Sequence, residues 1–502
     1  MIKSRILPIL IVLGVLGIVD AGYLAYEHFS NTLPPCTTNI FSDCGKVLRS
    51  KYSEIFNIPL AIFGLVYYLT VTSSLFLIIK LKVKKTRLFL LILTGFGFLF
   101  SIYLIYLQII VIKSICLYCM GSALISTLLF VISQVGFPKE RKELAVFITK
   151  YSYRYILRPI LFKIDSEKVH HTAIRIGSGF AKFKLTRELL ASYYDVQSTK
   201  LKKTVLGIFF RNPIGLAAGF DYNADLTQIL PSIGFGFLTI GTVTNLPYEG
   251  NPKPRLGRLP KSKSLYVNKG FKSEGADKII EKLKNLKFQI PVGISIGRSN
   301  SPTLKNQNDS ILDIITAFKK FEKAQIKNSY YEINISCPNL LYSKNISFYP
   351  PKNLNELLTA IDKLKLKKPL FVKMPIVKSD KETLAMLDVI AKHTPAGVIF
   401  GNLQVRSNPR LFDKNEIVKF KGEPGNFSGR PAFNRSNELI ALTKKHFKDR
   451  FLIIGCGGIF SADDVKEKLK SGATFVQLIT GLIFEGPQLI SEINQKLEKS
   501  AK

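Results

Sequence analysis

Apolar residues fall into two regimes along this chain of 502 residues. In the first third they form four nearly continuous runs, over residues 6–26, 58–79, 88–112 and 115–137. Each is near the ~20 residues that cross a bilayer as a helix. From residue 214 onward the runs shorten to four or five residues and alternate with helical periodicity, at 214–218, 237–241, 292–296, 331–335, 370–374, 397–400, 452–455 and 475–479. Eight such strands, mostly with a helix between them, predict an α/β fold of the (β/α)8 barrel type. Between the regimes, residues 151–191 mix apolar positions with Arg154, Arg158, Lys163 and Lys168. That suits short helices lying against an anionic leaflet. The pattern therefore predicts an all-α, four-helix transmembrane bundle over 1–137, a linker and small membrane-associated helical segment over 138–204, and a barrel over 205–502. The charged stretch 138–150 reads as the linker that ends the membrane part.

Charge orients the first third. Lys and Arg number 71 against 36 Asp and Glu, a formal net charge of +35. Such an excess fits nucleic acid or an anionic membrane. No zinc-finger spacing, RNA-recognition motif or Arg-rich tract is present, so lipid is the expected partner and nucleic acid is not. Lys3 and Arg5 precede the first run, Lys80 to Arg87 separate the second from the third, and Lys139, Arg141 and Lys142 follow the fourth. The positive-inside rule puts these clusters, both termini and the barrel in the cytoplasm, and the loop 27–57 outside. The first run has no small-residue cleavage site and more spans follow it, so it reads as a span rather than a removed signal.

Six cysteines divide the same way. Cys36, Cys44, Cys116 and Cys119 lie in the first third, on the outer side by this topology; Cys337 and Cys456 lie in the barrel. The segregation points to two redox environments in one polypeptide. A CxxC at a helix start favours a thiolate. Four thiols could hold zinc, but two of them within a span beside lipid fit disulfide exchange better. His170-His171 lacks nearby acidic or thiol partners and reads as structural, so no metal site is expected.

Val19-Asp20-Ala21-Gly22-Tyr23-Leu24, Cys36 and Cys44, Ser50, Asn57-Ile58-Pro59-Leu60 and Cys116-Leu117-Tyr118-Cys119 resemble a bacterial vitamin K epoxide reductase homologue over about residues 1–137. The resemblance implies that Cys119 faces a quinone, that Cys116 takes electrons from the pair Cys36 and Cys44, and that a thioredoxin-like thiol protein feeds that pair. Ser50 would hydrogen-bond a quinone oxygen. Asp20, a carboxylate inside a span, is costly there and therefore suggestive.

In the barrel, the hexapeptide Asn334-Ile335-Ser336-Cys337-Pro338-Asn339 ends a strand with a thiol between carboxamides. Carboxamides both donate and accept, which suits a planar polar ligand, and a thiol beside them can take a proton. Lys373 ends the fifth strand and Asn402 follows the sixth, so these groups converge at one rim. Glycines after the last two strands, at Gly455-Cys456-Gly457-Gly458 and Thr480-Gly481, let backbone N–H groups reach a phosphate. Cys456 reads as a packed small residue.

With Gly215 to Asp221, Gly241-Thr242-Val243-Thr244, Asn251 to Arg255 and Ser428-Gly429-Arg430-Pro431, these motifs resemble dihydroorotate dehydrogenase over roughly residues 150–500. The helical segment resembles the quinone-using class, whose N-terminal helices form a quinone tunnel. FMN would then contact Ala218, Gly219, Thr242, Ser295, Asn334, Lys373, Gly429, Gly458 and Thr480. Dihydroorotate would contact Asn268, Asn334, Asn339 and Asn402. Cys337 would take the proton from C5 while hydride leaves C6 for the flavin. The chain departs from the family at Cys337, since the quinone class has Ser as base. It departs again at Tyr222 for a Lys, at Ser295 for an Asn, at Val267 for an Asn with Asn268 next to it, and at Leu403 for a hydroxyl residue. The expectation is a membrane-bound fusion of two quinone-reducing oxidoreductases. An FMN enzyme for another dihydro compound, or a degenerate barrel anchoring the first domain, stays open beside it.

Overall fold

A computed structural model describes residues 2–30, 32, 34–35, 43–81, 83–342, 346–405 and 409–500. The chain divides into two compact units, Met1–Ala145 and Val146–Lys502.

The first unit is built on α1 (Ile2–Phe29), α2 (Leu60–Leu81), α3 (Lys84–Tyr106) and α4 (Leu117–Gly136). All four are long and apolar enough to cross a membrane. Their outward faces are apolar, with Val12 and Leu16 on α1, Phe76 on α2, Leu99 on α3 and Leu124 on α4 exposed. Their facing sides carry small and hydroxyl residues. A Cβ on Gly17 would fall 2.3 Å from the Tyr68 ring, so the missing side chain is what lets α1 approach α2. Thr94 and Ser133 hydroxyls meet at 3.0 Å, and Tyr68 donates to the Ser122 carbonyl at 2.8 Å. Internal polar pairing with apolar outer faces is what a bilayer demands.

The stretch 138–150, expected as a linker, is helical: α5 spans Pro138–Ser152. Proline is tolerated in a first helical turn, where its missing N–H is not needed. Its acidic residues are also held: Arg87 donates to Glu140 at 2.9 Å and Lys84 pairs with Glu143 at 2.5 Å. Partners more than fifty residues away are invisible to a local reading.

The second unit continues with α6 (Ser166–Lys182) and α7 (Lys184–Tyr194). Asp165 starts α6 by accepting from the Lys168 N–H at 2.9 Å. Eight parallel strands follow: β1 (Ile214–Leu216), β2 (Phe237–Val243), β3 (Val292–Ile296), β4 (Tyr330–Asn334), β5 (Leu370–Met374), β6 (Gly397–Phe400), β7 (Leu452–Cys456) and β8 (Phe475–Leu478). They close into a barrel in sequence order. Phe237, Tyr330 and Phe475 open their strands and pack with Phe210 and Phe371 into one buried cluster, which plugs the N-terminal end. Phe210 comes from a hairpin of Lys203–Val205 and Ile208–Phe210. The C-terminal rim is left open. There a three-stranded antiparallel sheet of Leu256–Leu259, Ser264–Val267 and Asn426–Gly429 rises beside it.

Candidate functional site

Each unit holds a large cavity lined by a cysteine. In the first unit a cavity of about 780 Å³ is lined by Cys119, Asp20, Ser50, Ser122 and Tyr68. Cys116 caps α4, its Sγ accepting from the Cys119 N–H at 3.4 Å, while its own N–H donates to Gln108 Oε1 at 2.9 Å. Both thiols of the CxxC are free. Cys44 is disulfide-bonded and packs in one buried cluster with Val47 and Cys116. A disulfide-bonded cysteine packed against a CxxC has the proximity that thiol–disulfide exchange needs, because the attacking sulfur must reach the bond it opens. Cys36 lies outside the described residues. Ser50 donates to the Val47 carbonyl at 2.8 Å, so its proton is already committed.

In the second unit a cavity of about 970 Å³ runs from α6 to the open rim of the barrel. Ala218, Gly219, Thr242, Asn334, Cys337, Asn339, Lys373, Asn402 and Thr480 all line it. Topology brings them together. Ala218 follows β1, Thr242 lies at the end of β2, Asn334 ends β4, Lys373 lies near the end of β5, Asn402 follows β6 and Thr480 follows β8.

The carboxamides are locked before any ligand arrives. Asn334 donates to Thr242 Oγ1 at 2.9 Å and accepts from the Ser336 N–H at 3.3 Å. Asn402 donates to the Ser336 carbonyl at 3.1 Å. Asn339 donates to the Val267 carbonyl at 2.9 Å and accepts from Asn426 at 2.7 Å. Ser295 is fully buried beneath this layer, within 3.1 Å of Thr242 and donating to Glu332 at 2.9 Å. It thus sets the Thr242 hydroxyl from below. Asn268 is also behind the wall, accepting from Asn251 at 2.8 Å.

Two charges frame the thiol. Burial works against the Lys373 ammonium, but Glu332 Oε1 at 3.6 Å holds it above the ordinary lysine value. Burial pushes the Cys337 thiol up to about 11, against the pull of the Asn339 N–H and of Arg298 and Lys373. An isolated thiol with a fixed cation near it is built for proton transfer rather than disulfide chemistry.

The far side of the rim suits a phosphate. Gly429 has φ +89°, and a Cβ there would fall 2.2 Å from the Lys263 carbonyl oxygen. Gly458 has φ +73° and packs against Phe433. Only glycine holds these turns, and neither places a side chain between backbone and ligand. Ser428 and Thr480 hydroxyls meet there at 2.8 Å. Arg430 is not a ligand donor in this arrangement: it forms a two-pronged pair with Asp464 at 2.8 and 3.1 Å. Cys456 ends β7 and is buried, in the cluster that runs on from the aromatic plug through the barrel interior. His170 donates to the Phe220 carbonyl at 2.9 Å and stacks on Tyr222, so the histidines of α6 hold the loop after β1 and His170 also lines the cavity. Sequence reading missed Glu332, Asn426 and Lys269. The acid in the middle of the apolar run Tyr330–Asn334 was the one available signal.

The thiol, carboxamides and buried lysine stand at the C-terminal rim, where (β/α)8 enzymes carry their active sites. The family model for dihydroorotate dehydrogenase matches residues 200–500, and that for the vitamin K epoxide reductase family matches residues 8–134. The chain belongs to the dihydroorotate dehydrogenase family, carries a vitamin K epoxide reductase family domain ahead of the barrel, and is an oxidoreductase. It is 35% identical over 347 residues to a dihydroorotate dehydrogenase (quinone) of Christiangramia forsetii, covering 69% of this chain and 98% of that one. The corresponding protein of Gloeobacter violaceus is 33% identical over 350 residues, with 69% and 95% covered. The crystal structure of DHODH in complex with ferulenol from Eimeria tenella superposes with a TM-score of 0.57 at 26% identity, over 66% of this chain and 90% of that one. Both resemblances read from the sequence are met.

Proposed function

We propose that the barrel oxidises dihydroorotate to orotate with FMN bound at the rim and a quinone as final acceptor. The observation that carries this is the convergence of Cys337, Asn334, Asn402 and Lys373 on one cavity that continues to α6. The donor set fits FMN: glycine turns at Gly429 and Gly458 for the phosphate end, carboxamide and hydroxyl groups for the ring edge, and the Lys373 cation for a ring that gains negative charge. When bound, FMN supplies the hydride acceptor at the substrate's C6. Cys337 receives the proton from C5. Asn334 and Asn402 hold the substrate ring in plane, since their amides are already fixed by Thr242 and Ser336. The helical segment carries exposed apolar side chains, among them Tyr155, Ile156, Phe183 and Leu185, which suits docking on lipid and entry of a membrane quinone.

The first unit, in the same proposal, oxidises thiols outside the cytoplasm. Cys116 and Cys119 lose two electrons and two protons to a quinone in the cavity lined by Cys119 and become a disulfide. The pair Cys36 and Cys44 then reoxidises at their expense, and a thioredoxin-like protein reduces it again. Lys84 and Arg87 pair with Glu143 and Glu140, so two of the three basic clusters share one end of the bundle, which supports the positive-inside orientation.

A second reading has a specific basis. Val267 and Leu403 line the barrel cavity where polar partners are expected, which favours another cyclic dihydro compound. The test of both is the absorption spectrum of the detergent-purified full chain. Flavin bands that bleach on adding dihydroorotate and return on adding quinone support the first reading. Bands that bleach only with other dihydropyrimidines support the second, and absence of flavin overturns both.

A further inference from the structure

Lys269 is a buried cation on the cavity wall, 9% exposed. Among the described residues no hydrogen bond or ion pair reaches its Nζ. What it meets is the face of Tyr222, with the ring centroid at 4.5 Å. A buried ammonium with no anion in contact is costly. Polar groups buried at a cavity wall without partners find them in a ligand.

The backbone around Lys269 shows which part of a ligand that is. Asn339 donates to the Val267 carbonyl at 2.9 Å, the Asn268 N–H donates to the Arg255 carbonyl at 2.8 Å, and the Asn251 N–H donates to the Lys269 carbonyl at 3.3 Å. The Asn251 amide bridges Asn268 at 2.8 Å and the Asn339 carbonyl at 2.8 Å. Lys269 therefore lies just past the Val267 end of its strand, where Val267 pairs with Asn426 and accepts from the Cys337 loop, while Gly429 pairs with Ser264 at the opposite end. A quinone carries no charge. The remaining anion for this place is a carboxylate on the oxidisable substrate.

We propose that Lys269 binds the carboxylate of the substrate ring and thereby selects acidic dihydropyrimidines over neutral ones. This rests on the reading of the barrel given above. It is a binding and positioning role, with no bond made or broken at Nζ.

A pH signature follows. Burial pushes Lys269 down to about 7; the Glu167 carboxylate opposes this, and Lys272 and Arg255 reinforce it. His170 and Tyr222 also line this pocket and His171 meets the Tyr222 hydroxyl at 3.2 Å, with both imidazoles held below their ordinary range by burial first. Above about pH 7 the ammonium must regain its proton before pairing with a carboxylate, so substrate affinity falls as pH rises.

The experiment uses the full-length FMN-loaded protein and anaerobic stopped-flow bleaching, which separates substrate Kd from limiting rate. Lys269→Met keeps the stem and removes an unpaired buried charge, so folding is preserved. Expected are unchanged flavin content, a Kd for dihydroorotate raised about tenfold or more, loss of the pH dependence of Kd, and substantial recovery in Lys269→Arg. The neutral methyl ester of dihydroorotate should bind wild type and Lys269→Met alike. An unchanged Kd for dihydroorotate, or flavin lost from the Met variant, overturns the role of Lys269 and leaves the reading of the barrel standing. Wild-type flavin that dihydroorotate does not bleach overturns both.

Discussion

Cys119 and Cys337 face cavities of comparable size in opposite company. Cys119 has a second thiol one helical turn away in Cys116, with the disulfide-bonded Cys44 packed against that pair. Cys337 is alone among carboxamides, with Lys373 and Arg298 as the charges that act on it. Sulfur does what its neighbours permit. Beside another sulfur it can give up electrons and close a bond. Without one, and next to fixed donors, the thiol is left with its proton. On the proposed function, one chain would use the same atom for electron transfer and for acid–base work, and the difference lies in what is within reach.

The comparison breaks most sharply on single sulfurs. Cys116→Ser and Cys119→Ser should each abolish quinone-dependent thiol oxidation completely, since no disulfide can close, while dihydroorotate-dependent bleaching of the flavin continues. Thiol titration with a quinone analogue, run beside the bleaching assay on the same preparation, checks this. Thiol oxidation surviving in both variants would remove the CxxC from the reaction. Cys337→Ala is the mirror image. Bleaching by dihydroorotate should fall by about 10²- to 10⁴-fold, FMN should stay bound, and thiol oxidation should be untouched.

How much of this was legible follows from where each signal resides. The eight strands were readable because short apolar runs alternate with stretches of helical periodicity, and β3, β5 and β6 match the expected runs residue for residue. Cys337 and its carboxamides were readable because they are adjacent in sequence at a strand end. Lys269 was not. Its burial depends on α6 and on Tyr222, which are brought to it by the fold from some fifty to a hundred residues away. Glu332 looked like an interruption of an apolar strand until closure of the barrel put Lys373 and Ser295 beside it. The helix α5 was hidden by its charge, which pairs with Arg87 and Lys84.

A pH profile sharpens the contrast further. Burial places the Cys337 thiol at about 11. Only the thiolate accepts a proton, so below that value its fraction grows about tenfold per pH unit. At saturating substrate, where binding no longer limits, the rate of flavin bleaching should therefore climb across roughly pH 6 to 9. A flat limiting rate over that range would take Cys337 out of proton transfer.

The smallest expected effect concerns Ser50, which lines the first cavity with Cys119. A quinone oxygen only accepts hydrogen bonds, so Ser50 would have to donate. Its hydroxyl already donates to Val47 at 2.8 Å and accepts from the Tyr52 N–H at 3.4 Å. Turning to the quinone exchanges one hydrogen bond for another, and the net gain is a fraction of the ~0.5–1.5 kcal/mol that a hydrogen bond contributes. Ser50→Ala should therefore raise the apparent KM for quinone by no more than about tenfold and leave the limiting rate of thiol oxidation near wild type. A collapse of the limiting rate would mean that Ser50 acts on the sulfurs themselves, and the electron-transfer side of the comparison would then depend on a hydroxyl as well as on paired thiols.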